Sequence, residues 1–194
     1  MNPDKIVLAE IVKMRITDIN QALEILTENR LEVWRYNDFL SEIQRLDSLV
    51  LVGRNGTEVV GFCIARLIKL YNNLTEFHNR KTTKNSDTEN FTTDLIYTEP
   101  KKPVRDKDSK SECEIYNIAV KREFQNRGIG NKLLDKLVLL AKEYNSQSIW
   151  LEVRSSNTKA VNFYQKNNFR QIYERKNFYS NPVENAIVMR RNLQ

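Results

Sequence analysis

The stretch Gln125–Tyr144, QNRGIGNKLLDKLVLLAKEY, puts Gly128 and Gly130 at the mouth of a long amphipathic helix, downstream of a strand-like run, CEIYNIAV. That arrangement suits an anion. The first N–H groups of a helix lack internal partners, and the aligned peptide dipoles add about half a positive charge there. Glycine permits backbone turns and close approaches that a Cβ blocks. A pyrophosphate is the natural guest. No Gly-Lys-Ser/Thr follows, so the loop is not of the Walker type. The third glycine of the dinucleotide fingerprint is missing, and no acidic residue stands at the right distance on a following parallel strand. A lone Gly-x-Gly is a weak signal, and its context has to decide.

Other residues further along could do chemistry. In IWLEVR, Ile149, Leu151 and Val153 share one strand face, and Trp150, Glu152 and Arg154 the other. Glu152 is then either a solvated carboxylate on an open side or a general base. A central strand covered on both faces favours the base. Asn157 opens NTKAVNFYQKN as a helix cap, and Tyr164 follows it by seven residues, so the two point the same way. A metal is not expected: Cys63 and Cys113 lie far apart without ligand company, and His78 is the one histidine.

The elements that must position these residues are readable. With 194 residues, 40% of them hydrophobic and 29% charged, the chain reads as one globular domain spanning 1–194. No apolar run approaches the roughly 20 residues of a membrane span, and the N-terminus lacks a signal-peptide pattern. A reduced, cytoplasmic protein is expected. The net charge of +6 comes with acids and bases intermixed, which argues for a solvated, weakly basic surface over a nucleic-acid footprint. IVKMRIT (11–17) alternates as a strand; Asp18 then caps a helix with Ile19, Ala22, Leu23, Ile25 and Leu26 on its apolar stripe. WRYNDFLSEIQR predicts a second helix. SLVLVGRNGTEVVGFCIARLI predicts two strands around Arg54–Thr57, since Asn-Gly is a strong hairpin signal. The polar segment 69–111 breaks the rhythm, with DLIY as a possible strand edge. After it come the strand, the glycine turn and its helix, the strand SIWLEVR, the Asn157 helix, and two closing strands joined at Asn181-Pro182. The order predicts a mixed α/β sheet with helices on both faces.

With that context the glycine turn acquires a meaning. NIAVKREFQNRGIGNKLL resembles the coenzyme A-binding motif of the GCN5-related N-acetyltransferases (GNAT), Gln/Arg-x-x-Gly-x-Gly/Ala, here Gln125, Asn126, Arg127, Gly128, Ile129, Gly130. IWLEVRSSNTKAVNFYQKNNF and the late RKNFY and NAIVMRRNL are similar to the RimI-type ribosomal-protein alanine acetyltransferases. The close likeness covers Tyr116 to Leu193, and a looser one the N-terminal half. It implies a GNAT-like, mostly antiparallel sheet and acetyl-CoA-dependent acetylation of an amine, without a metal. Ile118, Ala119 and Val120 would present main-chain groups to the pantetheine arm, and one N–H there could hold the developing oxyanion. The amides from Asn126 through Asn131 would cradle the pyrophosphate, and Asn157 would add a side-chain contact. Glu152 would be the general base and Tyr164 the proton donor to the departing thiolate. A single carboxylate deprotonates an α-amine, with a pKa near 8, more readily than a lysine near 10.4. That suits a protein N-terminus, and the RimI likeness implies the N-terminal alanine of a ribosomal protein.

Three departures stand out. Asn168 replaces the glycine expected before the aromatic that follows the tyrosine helix; asparagine is the next-best residue for a left-handed helix end. Val33-Trp34-Arg35 stands where the RimI pattern has Pro-Trp-Ser. The 69–111 segment replaces a short connection, and it could redirect the choice of peptide or be a solvated loop. The alternatives are a small-amine acetyltransferase (polyamine, aminoglycoside or amino acid) and a catalytically inactive coenzyme A-binding module.

Overall fold

The structure is a computed structural model describing residues 9–31, 34–69 and 110–193. Its elements follow the expected order: β1 (Glu10–Lys13), α1 (Ile19–Asn29), α2 (Tyr36–Gln44), β2 (Ser48–Asn55), β3 (Glu58–Lys69), β4 (Ser111–Val120), α3 (Ile129–Glu143), β5 (Ser146–Arg154), α4 (Thr158–Lys166), β6 (Arg170–Ser180) and β7 (Val183–Asn192). The strands form one sheet of order β1-β2-β3-β4-β5-β7-β6. Every pair is antiparallel except β4 with β5. That single parallel pair needs a long crossover, and α3 supplies it.

Two apolar layers hold the sheet. Strand alternation sends Cys63 and Ala65 of β3 to the α3 side, against Leu133, Leu134 and Leu137. Phe62 and Ile64 go to the other side, against Ile19, Ala22, Ile25 and Phe39 of α1 and α2. The expected helices on both faces are thus present. Buried Glu42 of α2 accepts from Arg66 and Ser48, which ties α2 to β2 and β3 through hydrogen-bonded charge rather than apolar contact alone.

Two local expectations shift. The first strand stops at Lys13, and Ile16–Asp18 tightens into a 3-10 turn. Asp18 does precede α1, but its carboxylate accepts from the Arg15 N–H at 2.7 Å and from Arg54, so it fastens the turn instead of capping the helix. The strand carrying Glu152 is also less covered than expected. Ile149, Leu151 and Val153 are buried on the α3 side, whereas Trp150, Glu152 and Arg154 are half-exposed. The segment expected to be an insert falls almost wholly outside the described residues. The strand ends that flank it, Lys69 and Ser111, are paired with each other, at the opposite end of the β3–β4 ladder from Gly61 and Val120.

The feature that positions the site is a gap in the sheet. The β3–β4 register slips between Ala65↔Ile115 and Ile64↔Asn117, leaving Tyr116 as the extra residue of a bulge. A bulge bends its strand. The β4–β5 ladder ends at the same level, with Ile115↔Leu151 as its last pair. Beyond it, β4 stays with β3 as far as Val120, and β5 stays with β7 as far as Arg154. The facing edges of Tyr116–Val120 and Glu152–Arg154 therefore share no ladder.

Candidate functional site

A cleft of about 960 Å³ opens at this gap, between the end of β4, the mouth of α3 and one side of α4. Its corner is fixed by an amide cluster. The Val120 carbonyl accepts from Asn29 Nδ2 at 3.1 Å and from Gln125 Nε2 at 3.0 Å. Gln125 Nε2 also reaches Asn29 Oδ1 at 2.8 Å, and Gln125 Oε1 accepts from Lys159 Nζ at 2.5 Å. One side chain thereby joins the last turn of α1, the end of β4 and the first turn of α4. Gln125 lines the cleft, yet its polar atoms are already engaged in shaping it.

From there the chain turns through two left-handed residues, Asn126 (φ 60°) and Gly128 (φ 79°), and enters α3. At Gly128 an added Cβ meets nothing within 4 Å, so conformation is what demands glycine. At Gly130 the demand is space, because a Cβ would lie 3.3 Å from the Phe163 ring of α4. The first main-chain bond of the helix runs from the Lys132 N–H to the Gly128 carbonyl, 3.0 Å. The N–H groups of residues 126–131 have no hydrogen-bond partner among the described residues. The cleft lining includes Arg122, Lys159 and Lys166 and no carboxylate. Unpaired donors, three cations and no opposing charge fit a diphosphate-bearing guest such as coenzyme A.

The second helix mouth is capped as expected. Asn157 Oδ1 accepts from the Ala160 N–H at 3.1 Å, and the residue lines the cleft. At the far end of α4 the Phe169 N–H reaches back to the Tyr164 carbonyl at 3.0 Å, and the Asn168 N–H to that of Gln165 at 3.1 Å. With Asn168 left-handed at φ 65°, this is a Schellman closure. Its usual apolar contact is the pair Tyr164–Phe169, ring centroids 5.5 Å apart and edge to face. The helix ending therefore fixes Tyr164, which is buried and lines the cleft beside Asn157. Burial, with lesser contributions from Cys63 and Tyr179, pushes its phenol well above the ordinary tyrosine range. It is a hydrogen-bond donor at any physiological pH.

Of the residues expected at a coenzyme site, Ile118–Val120, Gln125, Asn126, Gly128–Asn131 and Asn157 line the cleft. Arg127 does not; its guanidinium lies over the Phe124 ring, 5.5 Å from the centroid. Glu152 is also outside the cleft lining, on the sheet face away from α3, where its Oε1 accepts from Arg175 Nη1 at 2.5 Å. The structure thus brings Tyr164 to the cleft and places Glu152 on the other face, at the level where the ladder ends. Sequence reading missed Asn29, Lys159, Phe163 and Lys166. The last three carried a signal, since their spacing of four and three makes one helix stripe. Asn29 carried none.

Comparison with known proteins agrees with this geometry. A model of the acetyltransferase (GNAT) family matches residues 15–169. The chain is 43% identical over 81 residues to the ribosomal protein bS18-alanine N-acetyltransferase of Haemophilus influenzae, a stretch covering 40% of this chain and 55% of that one. The match thus spans about half the length of such bacterial relatives. It is 27% identical over 179 residues to an N-alpha-acetyltransferase of Sulfurisphaera tokodaii, covering 90% and 87% of the two chains. Among solved structures, the ribosomal-protein-S18-alanine N-acetyltransferase from Escherichia coli superposes with a TM-score of 0.64 at 22% identity, covering 96% and 95%. Arabidopsis thaliana NAA60 in complex with acetyl-CoA gives 0.70 at 14%, covering 95% and 98%. At those identities the structural likeness is one of fold. The family match runs through the bulged β4, the glycine turn and the whole of α4, where the cleft is built, and the chain belongs to the acetyltransferase (GNAT) family.

Proposed function

We propose that the chain is an acetyl-CoA-dependent N-acetyltransferase whose acceptor is the N-terminal α-amine of a protein, with the alanine terminus of a ribosomal protein as the first candidate. The observation that carries this reading is the run of N–H groups at residues 126–131 without partners among the described residues, opening onto a cleft that ends at the gap between β4 and β5. The diphosphate binds at the α3 mouth, and the pantetheine arm runs along Ile118–Val120. The acetyl group then stands at the gap, with Tyr164 on one side of the sheet and Glu152 on the other.

In the reaction, the Glu152 carboxylate takes a proton from the acceptor ammonium, directly or through a water, and the freed amine attacks the thioester carbonyl. As the tetrahedral adduct collapses, the C–S bond breaks and the surplus proton on nitrogen passes to the leaving thiolate or to water, giving the amide and free coenzyme A. The Tyr164 phenol offers a hydrogen bond to the departing sulfur. Its raised pKa makes full proton transfer to a thiolate uphill, so its contribution is charge stabilisation more than acid catalysis. A lysine acceptor would need about 3 kcal/mol more for deprotonation than an α-amine. The half-exposed face around Glu152 leaves a polypeptide terminus room to approach. The names of the relatives point to the same acceptor class.

The test has two stages. Calorimetry should detect coenzyme A binding; no interaction would remove the whole reading. Incubation with acetyl-CoA and ribosomal extract, read by mass spectrometry, should then place the acetyl group on a protein N-terminus. Acetylation of small amines alone would replace the acceptor and keep the chemistry.

A further inference from the structure

Glu152 is not simply an open carboxylate. Its Oε1 accepts from Arg175 Nη1 at 2.5 Å, in an ion pair whose side chains are 23% and 48% exposed. Its Oε2 has no hydrogen-bond partner among the described residues. The group is held by one oxygen and open at the other. Arg175 belongs to β6, beyond β7, and the register accounts for its reach. Glu152 lies opposite Val188 and Arg175 opposite Ala186, so the two side chains share a face, one alternation apart. On that face β7 offers Val188 opposite Glu152 and the methyl of Ala186 opposite Arg175, and the guanidinium reaches across from the Ala186 side.

Isolated surface ion pairs carry little, but this one is built into the backbone. Just past Arg175 the ladder slips: Arg175↔Ala186 is followed by Tyr179↔Glu184, so three residues of β6 stand against Asn185 alone. Asn177 takes a left-handed conformation there (φ 51°), with its N–H on Asn185 Oδ1 at 3.0 Å. This bulge folds Phe178 back against Arg175, whose guanidinium carbon lies 4.1 Å from the ring centroid. The guanidinium thus touches the Phe178 ring while its Nη1 donates to Glu152.

We infer that Arg175 is the positioning residue of the reaction, anchoring Glu152 through Oε1 so that Oε2 is presented to the acceptor amine. This rests on the proposed role of Glu152 as base. Contact with the Phe178 ring together with a hydrogen bond to Glu152 suits a guanidinium better than the ammonium of a lysine. The experiment measures kcat and KM with acetyl-CoA and a peptide beginning with free alanine, for wild type, R175A, E152Q and the double variant. R175A should lose about 10- to 100-fold in kcat, the scale of a misplaced catalytic group, with KM for acetyl-CoA unchanged. E152Q should lose about 100-fold or more. The double variant should be no slower than E152Q, because there is nothing left to position. Added guanidinium ion should restore part of the R175A rate and none of the E152Q rate. Coenzyme A binding at wild-type affinity verifies that R175A is folded. A wild-type kcat in R175A, or a double variant slower than E152Q by the full R175A factor, overturns the inference. A wild-type rate in E152Q overturns the base assignment instead.

Discussion

Replacing Gly61 by alanine tests whether the site depends on how tightly β3 and β4 pack, at a residue with no part in the proposed chemistry. Gly61 lies opposite Val120 in the register. A Cβ built there would stand 2.9 Å from the Ala119 main-chain oxygen, 3.2 Å from a Leu133 methyl and 3.4 Å from an Ile129 methyl. The methyls can give slightly; the carbonyl belongs to a strand paired on that edge and cannot. Relief requires β4 to move towards the gap or α3 to lift. Overpacking of this kind costs about 1–3 kcal/mol. For a chain of this length each kcal/mol lowers Tm by about 2–4 °C, so G61A should melt about 2–12 °C below wild type. Both escape movements displace groups proposed to hold the coenzyme, and a loss of about 1.4 kcal/mol in binding is tenfold in Kd. Differential scanning calorimetry and titration with coenzyme A measure the two effects. If G61A melts within 1 °C of wild type and binds coenzyme A equally well, the packing account of the gap is wrong.

Three other expectations follow from single side chains. Y164F should lose about 10- to 100-fold in kcat with KM for acetyl-CoA little changed, and an unchanged kcat would remove the phenol from the mechanism. N168A places a Cβ-bearing residue without asparagine's tolerance in the left-handed Schellman position; it should cost about 1 kcal/mol, seen as a Tm about 2–4 °C lower. Glu184 accepts from the Ser156 N–H at 2.5 Å, from Ser155 and from Arg154, and these bonds hold its carboxyl down at about 2 against an ordinary 4.5. A depressed carboxyl stabilises the fold above its unfolded value and loses that contribution as pH falls through the folded one. E184Q should therefore melt below wild type at pH 7, with the gap closing between about pH 4.5 and 2; a gap independent of pH refutes the assignment.

Much of this molecule could be read from its chain because the informative patterns are local. The order of elements followed from period-two and helical periodicities, and the proposed anion site was suggested by Gly128 and Gly130 at a helix mouth. Asn168 was foreseen as a left-handed helix end because that conformation is a property of one residue and its neighbours. The gap could not be read, since no glycine or proline marks Tyr116. Its bulge exists only as a slip between two strands whose connecting residues are a long polar segment. Gln125 matched a motif, but its use as a clamp depends on Asn29 and Lys159, 96 and 34 residues away. The role inferred for Arg175 carried no local signal, because its partner lies 23 residues upstream on a strand with which β6 does not pair.

The sheet also explains why the proposed base and donor come from opposite sides without a channel through the core. Alternation on β5 sends Leu151 and Val153 into the α3 layer, so Glu152 must face away from α3. Tyr164 is on a helix of the α3 side, packed on Phe169 in that same layer. An intact ladder would separate these groups by a hydrogen-bonded backbone, with no place for a thioester between them. The loss of pairing beyond Ile115↔Leu151 opens the sheet at the level of Glu152, and it frees one main-chain edge of β4 for the proposed contact with the acetyl donor. Restoring the ladder should therefore weaken coenzyme binding even with every proposed site residue in place. Deleting Tyr116 removes the extra residue and brings Asn117 into register after Ile115. Such a variant should keep a cooperative melt while its affinity for coenzyme A falls at least tenfold. If it folds and still binds at wild-type affinity, the bulge is incidental and the donor is held by the α3 mouth alone.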